Sequence, residues 1–517
     1  MIFDIFLNYS TIANFVISGF CFWLIFVLLR YLLRSLYCFY HLPPGPWGLP
    51  VVGCLLRFRG SSPHLWYAEM AKRYGKIMSI KLGRNRVVCI GSAEIARKLL
   101  KRPDSTARPD TPLNNLLQGF GIFLSVGDLW KRQRHFLHEK LRALGAKTLN
   151  NDRMEHIINV EINELIVELA NLNSAPVNPV MMFGRHIHNI ICQLMMSFRF
   201  KELNDDFLKF NGSVTESMDI FGFIHFAEHL PFIVKLLRKK AVLYKIKDNL
   251  KEVYEFHAEH LKLRRKIRES GVAKGKESKD LLDFYLDRID DERNNEDLGG
   301  DNSIFVGVSE DKQIVQIMND LFSAGMETSR TTLVWALLMM VREKEVAKRV
   351  RHVLANHVGI GQRVGLEHRS ELAYVEAVML EVIRISSVVP LGAAHVNEKD
   401  WTEFGYFIPA GSHIVTLINV INMDPIEFPE PEKFKPERFL KNGKLHVPIS
   451  FIPFGVGRRI CMGEQLAKME LFLFFANIMN QFEFDIPEGQ KVPGLIGAVG
   501  VTHTPKPFTL SFNKITA

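Results

Sequence analysis

One glycine-rich loop, residues 453–463, presents a single cysteine just before a long apolar segment that the sequence predicts to be helical. Three glycines allow its backbone to turn and to approach a flat partner closely: Gly455, Gly457 and Gly463. A thiolate at Cys461 would lie by the helix N-terminus, whose partial positive charge stabilises an anion. Arg459 precedes the cysteine by two residues and can neutralise a carboxylate. A buried anionic sulfur, a flat surface and a cation suit an iron porphyrin with propionate arms. The alternative is a buried structural cysteine in a glycine-rich loop.

The order of five loop residues matches the pattern Phe-x-x-Gly-x-Arg-x-Cys-x-Gly: Phe454, Gly457, Arg459, Cys461 and Gly463. This long pattern resembles the haem-binding loop of the cytochrome P450 family. The resemblance implies that Cys461 is the metal ligand of haem b (iron protoporphyrin IX). It also implies that the phenylalanine and the two glycines belong to the cofactor-binding surface.

A second motif, Ala324–Thr328, lies in an apolar segment that predicts a helix from about Asp311 to Val341. A glycine, an acid and a threonine are each unfavourable in a buried helix. One explanation is a helix distortion in which Thr328 bonds back to an earlier carbonyl. The other explanation comes from the resemblance, because the segment is similar to the oxygen-activating motif of the family. That similarity implies that both residues are catalytic: Thr328 would hold water and the bound oxygen, and Glu327 would supply protons.

Glu381 and Arg384 stand one helical turn apart and predict an ion pair, which on a protein surface contributes only ~0–1 kcal/mol. Arg438 follows downstream, and the three residues resemble the Glu-Arg-Arg core of the family. The resemblance implies a buried structural network, not a catalytic one, that holds the cysteine loop. Asn422 stands where many relatives have His, which we expect to change local hydrogen bonding rather than chemistry.

Trp130 and Arg134 share one face of a basic helical segment. Taken alone, this spacing predicts either an amphipathic helix whose basic side is solvated or a pair of side chains that binds a ligand. The resemblance implies that the pair reaches a haem propionate. His395 and Arg459 match further propionate-binding positions, and Arg108 is a weaker match.

The same basic segment predicts a docking surface for an electron donor. Lys131, Arg132 and Lys140 are expected on the cysteine side of the haem, where an acidic protein can associate in a salt-sensitive way. The resemblance implies NADPH–cytochrome P450 reductase as the partner, so that NADPH is used indirectly. Cytochrome b5 is an optional second donor.

The substrate pocket is expected between the long helix, the stretch 112–126 and two later stretches, 388–394 and 498–502. The expected lining residues are Phe322, Ala324, Val389, Leu391 and Val499. Most are apolar or small, which suits a terpenoid, sterol or fatty substrate. The segments 107–109 and 141–145 are similar to those of arthropod ecdysteroid-pathway hydroxylases.

Composition limits the functional classes. The chain has 517 residues and a formal net charge of +9, which is compatible with nucleic acid, an anionic membrane or an acidic partner. It has no zinc-finger spacing, basic tail or aromatic RNA-binding motif, so we expect no nucleic-acid partner. Its six cysteines are scattered and form no disulfide framework, which indicates a reducing compartment.

The N-terminal region predicts a membrane anchor. Residues 12–29 are almost wholly apolar, about the length that crosses a bilayer, and the basic Arg30 and Arg34 that follow should stay cytosolic. We expect an uncleaved transmembrane signal anchor (1–34), a proline-rich hinge (35–50) and a catalytic domain (51–517). The catalytic domain would face the cytosol at the endoplasmic reticulum membrane. A cleaved signal peptide is the alternative.

A further apolar cluster with a basic edge, residues 220–240, predicts either a second membrane contact or packed core beside a solvated face. For the whole chain we expect a mainly α fold with a small β-rich portion. The resemblance makes this the cytochrome P450 fold, preceded by one N-terminal transmembrane helix.

The implied function is a haem-thiolate monooxygenase that inserts one oxygen atom from O2 into a lipophilic substrate. Two alternatives use the same fold. A thiolate-haem isomerase or dehydratase would need neither O2 nor a reductase, and a haem sensor or carrier would not be an enzyme.

Overall fold

The structure, a computed structural model, describes residues 17–27, 29–30, 33, 40–49, 52–57, 62–110, 119–146, 152–201, 205–227, 241–271, 280–295 and 297–515. Within these ranges no helix has both the length and the apolar character needed to cross a membrane. The expected anchor falls partly outside them, although residues 17–27 are helical and exposed. Most of the expected second membrane contact, residues 228–240, also lies outside the described residues.

The described chain is mainly helical, as the sequence predicts. In order, the α-helices are α1 (Pro63–Tyr74), α2 (Ala93–Leu100), α3 (Gly127–Ala143), α4 (Asp152–Asn171), α5 (Pro179–Met196), α6 (Asp205–Ala227), α7 (Ala241–Glu269), α8 (Leu281–Asn294), α9 (Glu310–Arg342), α10 (Lys344–His357), α11 (Ala373–Ser386), α12 (Ile418–Asn422) and α13 (Glu464–Gln481). Short 3-10 turns are interspersed at Leu55–Arg57, Pro103–Ser105, Gly300–Asn302, Leu366–Ser370 and Pro436–Phe439.

The β portion is small. Its strands are β1 (Ile77–Leu82), β2 (Asn85–Ile90), β3 (His395–Val396), β4 (Trp401–Glu403), β5 (Tyr406–Ile408), β6 (His413–Thr416), β7 (Leu440–Lys441), β8 (Lys444–Leu445), β9 (Phe482–Asp485), β10 (Ala498–Val499), β11 (His503–Thr504) and β12 (Ser511–Lys514). The largest described sheet has the order β1-β2-β6-β3, in which only β2 and β6 run parallel. The sequence predicts a strand pair broken at Gly83. The β1–β2 hairpin confirms it, with Gly83 at φ +56° between the paired Leu82 and Asn85.

Helix α9 forms the centre of the fold and packs against α5, α7, α11 and α13. Ser309 precedes it, and Glu310 and Asp311 in its first turn complement the positive end of the helix dipole. Its second half is buried all round, as expected for a helix that is apolar on every side. The observed bounds differ from the predicted ones by one residue at each end.

Helix α13 begins three residues after Cys461 and is buried along almost its whole length. The cysteine loop leads directly into this helix, which packs against α9. The other side of the loop contacts the end of α2, where the Arg458 N–H donates to the Leu100 carbonyl oxygen at 3.1 Å. The cysteine loop is therefore held between two helices.

Candidate active site

The cysteine loop is a tight turn. The Cys461 N–H donates to the carbonyl oxygen of Phe454 at 3.0 Å, which closes the turn ahead of α13. Gly457 has φ +82°, and a Cβ there would lie 2.1 Å from the Leu100 carbonyl oxygen. The neighbouring backbone therefore requires this glycine, whereas we expected the glycines to face a flat partner. At Gly463 a Cβ would meet only the Cys461 Sγ, at an ordinary 4.0 Å. Cys461 itself is exposed on this loop.

Three guanidinium groups converge beside this loop: Arg108, Arg134 and Arg459. Burial and the charge of its two arginine neighbours lower the pKa of Arg459 to about 8. Burial and Arg134 lower the pKa of Arg108 to about 10. The pKa of Arg134 is also lowered by burial, although the charge of nearby Cys461 opposes that shift. Over the ranges described above, no carboxylate forms an ion pair with any of the three.

Backbone carbonyls hold these cations in place. Arg459 donates to the carbonyl oxygens of Thr106 at 2.8 Å and Phe123 at 3.2 Å. Arg108 donates to the same Phe123 carbonyl at 3.0 Å. The Trp130 ring, which is buried, lies 4.3 Å from the Arg459 guanidinium carbon. Neutral dipoles and an aromatic face thus orient the positive charge but do not cancel it.

His395 and Arg134 complete the surroundings of the cluster. The His395 Nδ1 lies 2.8 Å from the Ser105 carbonyl oxygen, and burial lowers the pKa of the imidazole to about 3. His395 is therefore neutral near pH 7 and can donate or accept a hydrogen bond. The Arg134 Nη2 donates to the Ile460 carbonyl oxygen at 2.6 Å, which fixes α3 against the residue before the cysteine.

This arrangement fits a haem. Crowded guanidinium groups that repel one another, and that pair with no carboxylate in the described part of the chain, form a site for a group with more than one negative charge, such as two propionates. The cysteine thiol on the same loop is a soft ligand suited to haem iron. The structure brings together the five residues for which the sequence resemblance implies propionate binding: Arg108, Trp130, Arg134, His395 and Arg459.

The motif on α9 has two parts with different surroundings. The Thr328 Oγ1 donates to the Ala324 carbonyl oxygen at 2.8 Å, the back-bonding that the sequence allows. The Glu327 carboxylate is buried and forms an ion pair with Arg330. It also accepts hydrogen bonds from Thr331 Oγ1 at 3.2 Å and Thr502 Oγ1 at 3.1 Å. Glu327 is thus engaged on both carboxylate oxygens, which the motif alone does not indicate.

The Glu381 carboxylate is the centre of a buried network. Arg384 donates to its two oxygens at 2.7 and 2.8 Å, and neither side chain is exposed. Arg438 Nε and the Lys435 N–H donate to Oε1 at 3.1 and 2.8 Å. Arg384 also donates to the Asn422 carbonyl oxygen at 2.8 Å, so the network ties α11 to residues 422–438.

The expected pocket residues differ in how exposed their side chains are. Ala324 is exposed, and Val389 and Leu391 are half-buried. Phe322 corrects the prediction: it is fully buried and packs against His188 and Phe210 at ring-centroid distances of 4.8 Å, so it faces no accessible space. The Val499 backbone belongs to β10, and its side chain lies outside the described residues, as does the stretch 111–118.

Two acidic residues of this region, Glu470 and Asp320, were not identified from the sequence. Glu470 on α13 is buried, accepts from Ser329 Oγ at 2.8 Å and leaves Oε1 without a partner. Burial raises its pKa to about 8. Asp320 on α9 accepts the N–H groups of Ile122 and Phe123 at 2.7 and 2.9 Å, which holds their loop on α9. The sequence offers one signal for each of them: an acidic residue within an otherwise apolar helical segment.

A separate group of side chains, Glu161, Glu164 and His186, has ligand atoms within 4.8 Å of one another. Glu161 already accepts from Arg199 and contacts the His186 Nδ1 at 3.0 Å. Since these partners already occupy its oxygens, the group is a buried polar network rather than a metal centre.

Comparison with known proteins agrees with this geometry. The family model described as "Cytochrome P450" matches residues 43–512. The chain is 40% identical to cytochrome P450 18a1 of Drosophila melanogaster over 490 residues, covering 94% of this chain and 89% of the relative. It is 31% identical to human cytochrome P450 2U1, covering 92% and 89%. It is 32% identical to a protein of the frog Rana dybowskii named steroid 17-alpha-hydroxylase/17,20 lyase, covering 89% and 88%.

The family match spans the cysteine loop, the central helix, the Glu381 network and the arginine cluster. Haem is the cofactor of this family, and its members take electrons from a redox partner to act with O2 on hydrophobic substrates. The chain therefore belongs to the cytochrome P450 family, and it is a P450 monooxygenase related to animal members of that family.

Proposed function

We propose that this protein inserts one oxygen atom of O2 into a lipophilic, steroid-like substrate, using NADPH electrons delivered by a reductase. The observation that carries the proposal is the convergence, beside the loop that presents Cys461, of three guanidinium groups that pair with no carboxylate among the residues that the structure describes. A cluster of this charge favours an anionic cofactor held next to the thiol.

In this proposal Cys461 is the metal ligand of haem b. Arg108, Arg134 and Arg459 neutralise the propionates, with Trp130 and His395 completing their surroundings. Phe454, Gly457 and Gly463 shape the loop that holds the cysteine. When bound, the haem activates O2 for transfer of one oxygen atom to the substrate, and the thiolate favours cleavage of the O–O bond.

Thr328 and Glu327 are proposed to serve proton delivery. Thr328 stands on the half-buried face of α9, where its hydroxyl can exchange the bond to Ala324 for one to water. Arg330 and Thr502 hold the Glu327 side chain, which keeps its carboxylate fixed beside Thr328 in the sequence. A positioned donor of this kind contributes about 10²–10⁴-fold to the step that it serves.

The Glu381–Arg384–Arg438 network is proposed to act structurally. It fixes residues 422–438, which lead towards the cysteine loop, and none of the three touches the arginine cluster. Its role would be to keep the loop in the geometry that ligation requires.

A steroid-like substrate is supported by two observations. Ala324, Val389 and Leu391 offer small and apolar side chains that are exposed or half-buried, and a flat apolar molecule fits such a lining. One relative is named for steroid hydroxylation, and another is the fly cytochrome P450 18a1. Together with the ecdysteroid-pathway resemblance in the sequence, these point to a sterol or ecdysteroid.

We also propose the chain organisation that the sequence indicates. Residues 1–34 would anchor the protein, residues 35–50 would form a hinge, and residues 51–517 the catalytic domain. The catalytic domain would lie on the cytosolic face of the endoplasmic reticulum membrane. There NADPH–cytochrome P450 reductase, with cytochrome b5 as a second donor, would dock near Lys131, Arg132 and Lys140.

The test is reconstitution of the full chain with reductase, followed by binding spectra for a panel of sterols, ecdysone, juvenoids and fatty acids. The expected result is NADPH consumption coupled to a hydroxylated product of one of them. Product formed without NADPH would instead indicate an isomerase or dehydratase. Binding without any product would indicate a sensor.

Proton delivery is tested by the ratio of product to NADPH, with hydrogen peroxide measured in parallel. Thr328→Ala and Glu327→Ala should keep the haem spectrum and substrate affinity but release more peroxide. Thr332→Val is the matched control, because Thr332 Oγ1 makes the same kind of bond, to the Thr328 carbonyl oxygen at 2.8 Å, one turn further on. Unchanged coupling in both test variants would remove the proton-delivery role.

A further inference from the structure

A buried arginine on the central helix contacts the proposed proton-delivery residue directly. Arg330 is 3% exposed, and its guanidinium forms an ion pair with Glu327, which is 4% exposed. The two residues are three positions apart and so lie on the same face of α9. A buried pair of this kind persists only when further polar groups complete it, because removing two charges from water is costly.

The groups that complete the pair come from outside α9. The Arg330 Nη1 donates to Asn211 Oδ1 at 3.3 Å, and both of its terminal nitrogens lie 3.4 Å from Thr215 Oγ1. Asn211 and Thr215 both belong to α6, one turn apart. On the other side, Thr502 Oγ1 donates to Glu327 at 3.1 Å from the segment that leads into β11.

One guanidinium therefore joins two helices. Glu327 cannot change its orientation without breaking its bond to Arg330, and Arg330 cannot follow without losing its contacts with α6. A displacement of α6 is consequently transmitted to the carboxylate next to Thr328. A surface pair could rearrange in water without this effect, but both partners here are almost completely buried.

We propose that Arg330 is a positioning residue that holds the Glu327 carboxylate and links its position to helix α6. The link itself is a structural claim, whereas its effect on proton delivery rests on the proposed function. The experiment therefore uses one measurement for each.

The link is measured by hydrogen–deuterium exchange of the haem-loaded full chain. Arg330→Gln removes the charge, and Thr215→Val removes only a contact with α6 and leaves the ion pair intact. The control is Arg185→Gln, since Arg185 is also buried but pairs with Glu164 and Glu168 on α4. Loss of a charge-assisted hydrogen bond should speed amide exchange in residues 205–227 about tenfold in Arg330→Gln. Thr215→Val should give a smaller increase, and the control should give none there.

The effect on function is measured as peroxide formed per NADPH with reductase present. Both Arg330→Gln and Thr215→Val should raise this fraction, and Arg185→Gln should leave it at the wild-type value. The double variant Arg330→Gln/Glu327→Gln should release no more peroxide than the Glu327→Gln variant, because the two residues act as one unit.

Unchanged exchange in α6 of Arg330→Gln would overturn the link. Faster exchange with a wild-type peroxide fraction in both variants would overturn the positioning role and leave Arg330 a stabilising residue only. If Arg330→Gln does not fold, Thr215→Val decides both points, since it preserves the ion pair. If the wild-type protein consumes no NADPH, the proposed function fails, and the exchange measurement still decides the link.

Discussion

Replacing Glu381 by Gln should destabilise the protein far more than the loss of an ordinary ion pair. Both Glu381 and Arg384 are fully buried, and the carboxylate accepts from Arg384, Arg438 and the Lys435 N–H. A glutamine keeps the volume but offers one acceptor oxygen, and its NH2 group would face guanidinium donors. The buried Arg384 charge would then lack a counter-ion.

The magnitude follows from this burial. Removing one partner of a buried ion pair typically costs about 3–5 kcal/mol, because an uncompensated charge stays in the interior. Whole domains are stable by only about 5–15 kcal/mol, so the variant should lose a large part of its stability. Since the network also fixes residues 422–438, we expect a lower haem content in the purified variant.

The same helix provides a matched control. Glu376 on α11 pairs with Arg369, but the side chains are 17% and 15% exposed, so water partly solvates both charges. Pairs that water reaches contribute less than fully buried ones, so Glu376→Gln should shift the urea midpoint less than Glu381→Gln. The assay is urea unfolding followed by circular dichroism, with haem content from the absorbance spectrum. Equal losses of stability in the two variants would refute the argument that burial sets the cost.

Three further predictions concern the sulfur, a buried acid and the N-terminus. Cys461→Ser should abolish the red-shifted Soret band of the reduced carbon monoxide complex, and a band that survived would exclude the ligand assignment. Burial raises the Glu470 pKa from 4.5 to about 8, so the folded protein keeps a proton that the unfolded chain releases. Stability should therefore fall as pH rises from about 4.5 to about 8, and urea midpoints of Glu470→Gln should show a flatter dependence. Deleting residues 1–34 should weaken vesicle binding and leave the haem spectrum unchanged; loss of haem from a folded truncation would contradict this.

The sequence predicted the elements that local patterns determine. The long apolar segment predicted α9 to within one residue at each end, because length and hydrophobicity there allow no other element. The strand pair around Gly83 and the helix after Cys461 followed from alternation and from the glycine loop. Contacts between residues far apart in the sequence could not be predicted from local patterns. Gly457 is required by the Leu100 carbonyl, and no spacing in the loop indicates that neighbour.

The errors at the site have the same physical origin. Phe322 was assigned to the pocket from its place on the central helix, but His188 and Phe210 on other helices enclose it. Arg330 was visible three residues after Glu327, a spacing that permits an ion pair. The burial of Arg330 depends on α6 and could not be read from that spacing, so the sequence analysis did not identify the pair.

The two acids beside Thr328 show how strongly tertiary surroundings decide chemistry. Glu327 has the motif position, but a guanidinium and two hydroxyl groups occupy its oxygens. Glu470 lies outside the motif and, within the described residues, has one hydroxyl partner and no cation, so burial raises its pKa to about 8. Different surroundings thus give chemically identical side chains different partners. A motif therefore locates the part of a helix where proton chemistry belongs, whereas the residues packed against that helix determine which groups each acid contacts.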